Sequence, residues 1–257
     1  MIEVRHLNKS FEGKEVLKNV SMSFEKGKTN LIIGRSGSGK TVLMKNLIGL
    51  VHPSSGEIFY DSRNLTAMTG KEVKALRREM GMLFQSSALF DSMTVLENVM
   101  FPLTMFTSDS RKDREKRAMF CLERVNLADA GDLRPGEISG GMMKRVAIAR
   151  AIAMNPAYLF CDEPNSGLDP KTSLIIDDLI HDITKEYNIT TVINTHDMNS
   201  VMNIGENIVF ISEGRKAWEG SKENIMTSTN AELNDFVFAS DLFKKVKEVE
   251  SFTNEEG

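Results

Sequence analysis

Short apolar runs rich in Val, Ile and Phe alternate along the chain with longer stretches of helical periodicity. TNLIIG (29–34), MGMLF (80–84), AYLFCD (157–162), TTVINT (190–195) and NIVFIS (207–212) predict strands. Their near-continuous hydrophobicity is that of strands covered on both faces. KTVLMKNLIGLV (40–51), SGGMMKRVAIARAIAM (139–154) and KTSLIIDDLIHDITKEY (171–187) predict helices. Strand–helix–strand alternation implies an α/β fold with a mostly parallel sheet. The rhythm breaks at about 94–136, a Met- and charge-rich stretch that reads as an inserted helical subdomain. No internal repeat or low-complexity tract interrupts the chain, and its last residues are polar.

With 257 residues, 41% hydrophobic and 26% charged, the chain can build one large domain, or a domain with a subdomain, without staples. Cys121 and Cys161 sit in apolar-rich segments, which favours reduced, buried thiols and a reducing compartment over a disulfide. The N-terminus MIEVRHLNKSF has no basic segment followed by an apolar run, so no secretory leader is expected. No apolar stretch approaches the roughly 20 residues that span a bilayer. A net charge of −4 gives no reason to expect a nucleic-acid partner.

GRSGSGKT, Gly34 to Thr41, fits G-x-x-x-x-G-K-[ST] between a predicted strand and a predicted helix. The small positions Gly34, Ser36, Gly37, Ser38 and Gly39 let backbone N–H groups turn inward on phosphate oxygens. The helix that follows points its positive end at the anion. Lys40 supplies a point charge to the β- and γ-phosphates, and Thr41 a hydroxyl for Mg²⁺. YLFCDEP (158–164) is an apolar strand ending in two acids, expected to lie beside the phosphate-loop strand. Asp162 would then reach Mg²⁺, and Glu163 would sit where a carboxylate can deprotonate an attacking water. SGLDP (166–170) follows at once, and NTHDM (194–198) one strand later. His196 reads either as a γ-phosphate contact or as a satisfied polar residue. ISGGM (138–142) offers a second phosphate-binding helix start, with Ser139 as N-cap and backbone donors at Gly140 and Gly141. One nucleotide needs only one cradle. A two-fold dimer in which this helix caps the γ-phosphate of the other subunit resolves the redundancy.

The ordered set GRSGSGKT, LFQSS, ISGGM, LFCDEP, SGLDP and NTHDM resembles the ATP-binding cassette ATPases that drive membrane transporters, over residues 1 to about 225. The resemblance implies an ATPase using ATP and Mg²⁺. It implies a P-loop core with a mostly parallel sheet, an N-terminal antiparallel β subdomain and a helical insert. The cassette would occupy 1–227, its helical insert about 88–150, and a helical extension with a polar tail 228–257. By the same resemblance, Phe11 stacks on adenine. Gln85 touches Mg²⁺ or the attacking water and reports to the membrane partner. Ser139, Gly140 and Gly141 act in trans, Asp169 links the two sites across the dimer, and His196 contacts the γ-phosphate.

Two positions depart from the usual pattern: Ile138 stands for a common Leu and Met142 for a common Gln. SGGM followed by basic residues, with QSSALFDSMTVLENVMFPL (85–103), is similar to the ATPase of bacterial Mla/Mce-type lipid transporters. That implies a homodimer, peripheral on the cytoplasmic face of the inner membrane, powering phospholipid transport through separate permease subunits. It leaves room for a small accessory regulator and a lipid-binding partner. A cassette for amino acids, metals or lipoproteins has the same parts. A soluble non-transport cassette or a scaffold without turnover fits less well. The permease is expected to dock near residues 94–106, with Met100 and Met105 on the docking surface; core packing is the competing reading of that Met-rich segment. AELNDFVFASDLFKKV carries apolar residues at 233, 236, 237, 242, 243 and 246, a helical stripe expected either to add dimer contacts or to pack on its own subunit.

Overall fold

The computed structural model of the chain describes residues 1–239. Its strands are β1 (Ile2–Phe11), β2 (Lys14–Phe24), β3 (Thr29–Ile33), β4 (Ser55–Tyr60), β5 (Arg63–Asn64), β6 (Met80–Leu83), β7 (Tyr158–Asp162), β8 (Thr190–Thr195), β9 (Asn207–Ser212) and β10 (Arg215–Gly220). Its helices are α1 (Lys40–Leu47), α2 (Gly70–Arg77), α3 (Val95–Phe106), α4 (Arg111–Arg124), α5 (Gly140–Ile152), α6 (Pro170–Glu186), α7 (Met198–Ile204), α8 (Lys222–Thr227) and α9 (Ala231–Val237). One sheet runs β2-β1-β4-β5 and is antiparallel throughout. The other runs β10-β9-β3-β8-β7-β6, parallel except for the β9–β10 hairpin. The α/β architecture with a separate antiparallel sheet is the one expected.

The order of the larger sheet corrects one expectation. β7 does not lie beside β3; β8 pairs with both and separates them. β3 and β8 are buried along their whole length, and β7 as far as Cys161. Their hydrophobicity therefore cannot say which one fills the centre. The crossover through α6 decides it, by returning the chain to the gap between them.

The larger sheet divides two cores. Leu31 and Ile33 face a cluster built with α3, α4, α5 and α6, and Ile32 faces a cluster built with β1, β2, β4 and α1. The period-2 alternation of a strand places them so. Local signals set the helix starts. Thr94 and Glu97 form a reciprocal capping box at α3. Asp169 caps α6, with Pro170 in the first turn. The 94–136 stretch is helical as read, and α5 completes that layer. α5 is apolar nearly all round, and Val146 to Ala149 are buried without a break, as expected of a helix enclosed by its neighbours.

The described part of the tail packs on its own chain rather than offering a dimer stripe. Leu233 and Val237 are buried in the helical-side core. Phe236 stacks on Phe210 with ring centroids 5.2 Å apart. These three positions of the stripe are thus taken up by the nearest apolar surface, that of their own chain. Positions 242, 243 and 246 lie outside the described residues.

Candidate nucleotide site

The phosphate loop leaves β3 at Gly34 and enters α1 at Lys40. A Cβ on Gly34 would fall 2.3 Å from the Ile211 carbonyl oxygen, so no other residue fits where the loop passes β9. Gly39, the N-cap of α1, has φ 109° and offers no side-chain cap, and the first turn of α1 has no acidic residue. The helix start is thus open to an anion. The Gly214 N–H bonds the Ser38 carbonyl at 3.1 Å and the Lys18 N–H bonds the Gly214 carbonyl at 2.8 Å, so the β9–β10 turn and β2 brace the loop. The Ser38 hydroxyl is buried with no partner among the described residues, a donor left unspent.

Lys40 is buried, and its ammonium donates to the carbonyls of Gly34 at 2.7 Å and Arg35 at 3.0 Å. Burial lowers its pKa, while the Glu163 and Asp162 carboxylates pull it back up. The charge is therefore held at the loop mouth by carbonyls that a phosphate can replace.

A cavity of about 700 Å³ opens in front of the loop. It gathers Ser36, Gly37, Gly39, Lys40 and Thr41 with Gln85, Asp162, Glu163 and His196. Four elements deliver these groups, although β8 stands between β3 and β7. Asp162 ends β7 and accepts a hydrogen bond from the Asn194 amide of β8. Glu163 has φ 49°, a left-handed conformation costly for a side-chain-bearing residue, and its N–H is held by the Asn194 carbonyl at 2.8 Å. Its carboxylate lies 2.9 Å from His196 Nδ1. Gln85 donates to the Ser166 hydroxyl at 3.1 Å. Thr41, Gln85 and Asp162 all line this cavity, and their side-chain oxygens are of the kind that could hold Mg²⁺ beside phosphate oxygens and water. Among the described residues there is no cluster of three His, Cys, Asp or Glu side chains able to hold a metal unaided.

Other expected residues are not brought into this cavity. Phe11 is exposed at the end of β1, with the Lys9 ammonium 4.7 Å over its ring. Val16 of β2 lines the cavity instead. Ser139 is the N-cap of α5, accepting from the Met142 N–H at 3.2 Å. Gly141 has a packing reason of its own, because a Cβ there would meet the Thr172 methyl at 2.7 Å. Met142 is partly buried against the helical-side core. Asp169 accepts from the N–H groups of Lys171 and Thr172, and the Thr172 hydroxyl bond leads in lowering its pKa.

Sequence reading missed the grip of α5 on the Gln85 segment. Buried Lys144 donates to the Gln85 carbonyl, and Arg150 to the Ser87 and Ala88 carbonyls at 2.7 Å each. Lys144 and Arg150, six apart on a helix whose one other charged residue is Arg145, were the available signal. Val16, Asn165 and Phe236, which also borders the cavity, carried no such signal.

A glycine-rich loop entering a helix, with a strand-end carboxylate and a Glu–His pair across one cavity, defines a P-loop nucleotide hydrolase. Residues 17–166 match the ABC transporter family model. The chain is 40% identical over 255 residues to the methionine import ATP-binding protein MetN of Carboxydothermus hydrogenoformans, covering 93% of this chain and 75% of that protein. It is 34% identical over 237 residues to the intermembrane phospholipid transport ATP-binding protein MlaF of Haemophilus influenzae, covering 92% and 90%. Among solved structures it resembles a dimeric ATP-binding cassette in a post-hydrolysis state with ADP and Pi, at TM-score 0.78 and 33% identity, covering 86% of this chain and 99% of that one. The chain belongs to the ABC transporter family and is one of its ATPase cassettes, hydrolysing ATP with Mg²⁺. Among the described residues no helix is long and apolar enough to cross a membrane.

Proposed function

We propose that the chain is the ATPase subunit of a phospholipid transporter, working as a homodimer against permease subunits at the cytoplasmic face of the inner membrane. The cavity that joins the phosphate loop to Glu163 and His196 carries the reading of hydrolysis. In it, Lys40 and the N–H groups of residues 34–41 hold the β- and γ-phosphates. Glu163 takes the proton of the attacking water at its carboxylate. His196, 2.9 Å away, orients that carboxylate and reaches the γ-phosphate. Thr41, Gln85 and Asp162 would hold Mg²⁺, which when bound neutralises charge on the phosphate oxygens. Positioning and charge neutralisation, rather than covalent catalysis, supply the rate. Ser139, Gly140, Gly141 and Asp169 lie outside this chain's own cavity, in keeping with service to the other subunit's nucleotide. Phe11 lies outside the cavity with the Lys9 ammonium over its ring, so stacking on a base would need Lys9 to move aside.

Support for the docking of a permease comes from a groove of about 490 Å³ lined by the apolar side chains of Phe84, Phe90, Phe101, Pro102 and Phe106, with Arg77, Arg78 and Arg150 on its wall. It adjoins Gln85 and lies within reach of the grip of α5 on residues 85–88. The expected segment 94–106 contributes to it, but through Phe101, Pro102 and Phe106. Met100 packs on the core, and the exposed Met105 does not line the groove. On α3 the aromatics and the methionines project in different directions, which hydrophobicity alone does not distinguish.

Phospholipid as cargo is supported by the likeness to MlaF together with the SGGM and ALFDSMTV segments. The 40% identity to MetN favours a second reading, import of an amino acid. Purifying the intact membrane complex and identifying copurified subunits and lipids separates them. Stoichiometric phospholipid with stimulation of ATPase by added phospholipid is expected. A complex free of lipid and stimulated by methionine would replace the reading with the second.

A further inference from the structure

Behind the Glu163–His196 pair lies a buried polar triad that nucleotide chemistry does not use. Asn165, Asp177 and Ser200 are 8%, 1% and 1% exposed. The Asn165 amide donates to the Asp177 carboxylate at 2.8 Å and to the Ser200 hydroxyl at 2.9 Å. The Ser200 hydroxyl also hydrogen-bonds Asp177. Both N–H groups of Asn165 are spent in this way, and its carbonyl oxygen has no partner among the described residues. The side chain is therefore fixed by these two bonds and by packing.

The three residues stand on three different segments. Asn165 is two residues beyond Glu163, in the loop that enters α6. Asp177 is in the middle of α6. Ser200 is in the first turn of α7, four residues beyond His196. The triad thus joins the segment that carries Glu163 to the segment that carries His196, through a single anchor on a rigid helix. Glu163 needs such support, because its backbone is in a conformation that an unrestrained loop would abandon. An anionic acceptor buried among apolar side chains is costly to place, so an apolar trio would be the simpler packing solution.

We propose that Asp177 is a positioning residue for ATP hydrolysis: through Asn165 and Ser200 it fixes the Glu163 loop and the start of α7, and so sets the Glu163–His196 distance. The inference rests on the reading of Glu163 and His196 as the hydrolytic pair. The phosphate loop, on the far side of β8, is not touched by the triad, so the contacts of Lys40 and the loop N–H groups to the nucleotide are expected to persist without it, and only the His196 contact depends on it.

The test is steady-state ATPase kinetics of the purified full-length protein with Glu163→Gln measured in parallel. Asp177→Leu is expected to lower kcat about tenfold or more, as small misplacements of catalytic groups do, with KM for ATP within about twofold. Asp177→Asn keeps an acceptor oxygen and is expected to return kcat to within about threefold of the unsubstituted protein. The combination Asn165→Leu, Asp177→Leu, Ser200→Ala removes all three polar partners together, which for a purely structural cluster is nearly neutral. It is expected to restore the melting temperature and leave kcat low. Normal kcat in Asp177→Leu, or in the combined variant, overturns the inference. If Asp177→Leu does not fold, Ser200→Ala decides: a threefold or larger fall in kcat at unchanged KM supports it and normal kcat overturns it. An active Glu163→Gln would show that the hydrolytic reading itself has failed, whereas an inactive Glu163→Gln beside a normal Asp177→Leu sinks only the positioning role.

Discussion

Around the phosphate loop the chain is fixed mainly by its own backbone: the Gly214 N–H on Ser38, the Asn194 carbonyl on Glu163, and glycines that allow close approach to β9. Across the helical layer it is fixed by long side chains that reach main-chain carbonyls, Lys144 and Arg150 on residues 85–88 and Arg117 on Ile152 and Ala153. The first arrangement has one geometry, because backbone contacts leave no rotamers to adjust. The second can tilt while its bonds persist, because a guanidinium on a flexible stem follows its acceptor. A rigid cradle beside an adjustable layer would suit the proposed coupling, in which a phosphate is held still while the aromatic groove follows a partner. Phe90 and Phe101, rings 4.6 Å apart, line that groove.

The largest effect expected is in the cradle. Glu163→Gln keeps shape but cannot take a proton, so turnover should fall by at least about 10², the low end for loss of a general base, while ATP binding and permease assembly persist. Turnover measurements and size exclusion with ATP and Mg²⁺ check it. Normal hydrolysis would remove Glu163 as the base.

The helical layer should show the reverse pattern. Phe106→Glu removes an exposed aromatic ring from the groove and sets a carboxylate beside the Arg78 guanidinium, which lies 5.5 Å from the present ring centre, so a charged pair replaces apolar surface that a permease would cover. Copurification with the permease should be lost while the ATP affinity of the isolated subunit stays within about twofold. Met105→Glu, on an exposed side chain outside the groove, should leave copurification intact. Loss in both or neither would move the docking surface elsewhere.

A smaller effect sharpens the boundary between the regions. Burial, with the Asn165 and Ser200 hydrogen bonds opposing it and the Asp197 and Asp178 carboxylates adding to it, pushes the Asp177 pKa up to about 6 from its ordinary 3.8. Cys161 of β7 also faces it. A carboxyl with a raised folded pKa adds stability that is complete below pH 3.8 and lost as pH rises through 6. The shift corresponds to about 3 kcal/mol. Chemical denaturation from pH 4 to 7 should show the native protein losing stability relative to Asp177→Asn across that window. Parallel curves would show that Asp177 titrates normally.

The smallest effect belongs to Met142→Gln. The side chain is partly buried on the core and its N–H serves the Ser139 cap, so the change should cost about 1 kcal/mol of stability and alter kcat less than about threefold. A hundredfold fall in kcat would assign Met142 a part in hydrolysis.

Much of the cradle was legible because its parts are contiguous. GRSGSGKT, YLFCDEP and NTHDM each place backbone and side chain within a few covalently fixed residues, between a strand and a helix whose periods are local properties. Helix starts at Thr94, Ser139 and Asp169 were open to the same reasoning, since a cap and the N–H groups it satisfies lie three residues apart. Tertiary structure alone decided what depended on pairing distant segments. β8 separates β3 from β7 because a crossover returns to the centre of the sheet, and equally buried strands carry no mark of their order. Position 141 is kept to glycine by the close Thr172 methyl of α6, the methionines and phenylalanines of α3 diverge by rotation about one helix, and Asn165, Asp177 and Ser200 meet across a 36-residue span. A polar side chain in a sequence looks the same whether it will face water or a buried partner. Only the closure of the chain around it supplies that partner.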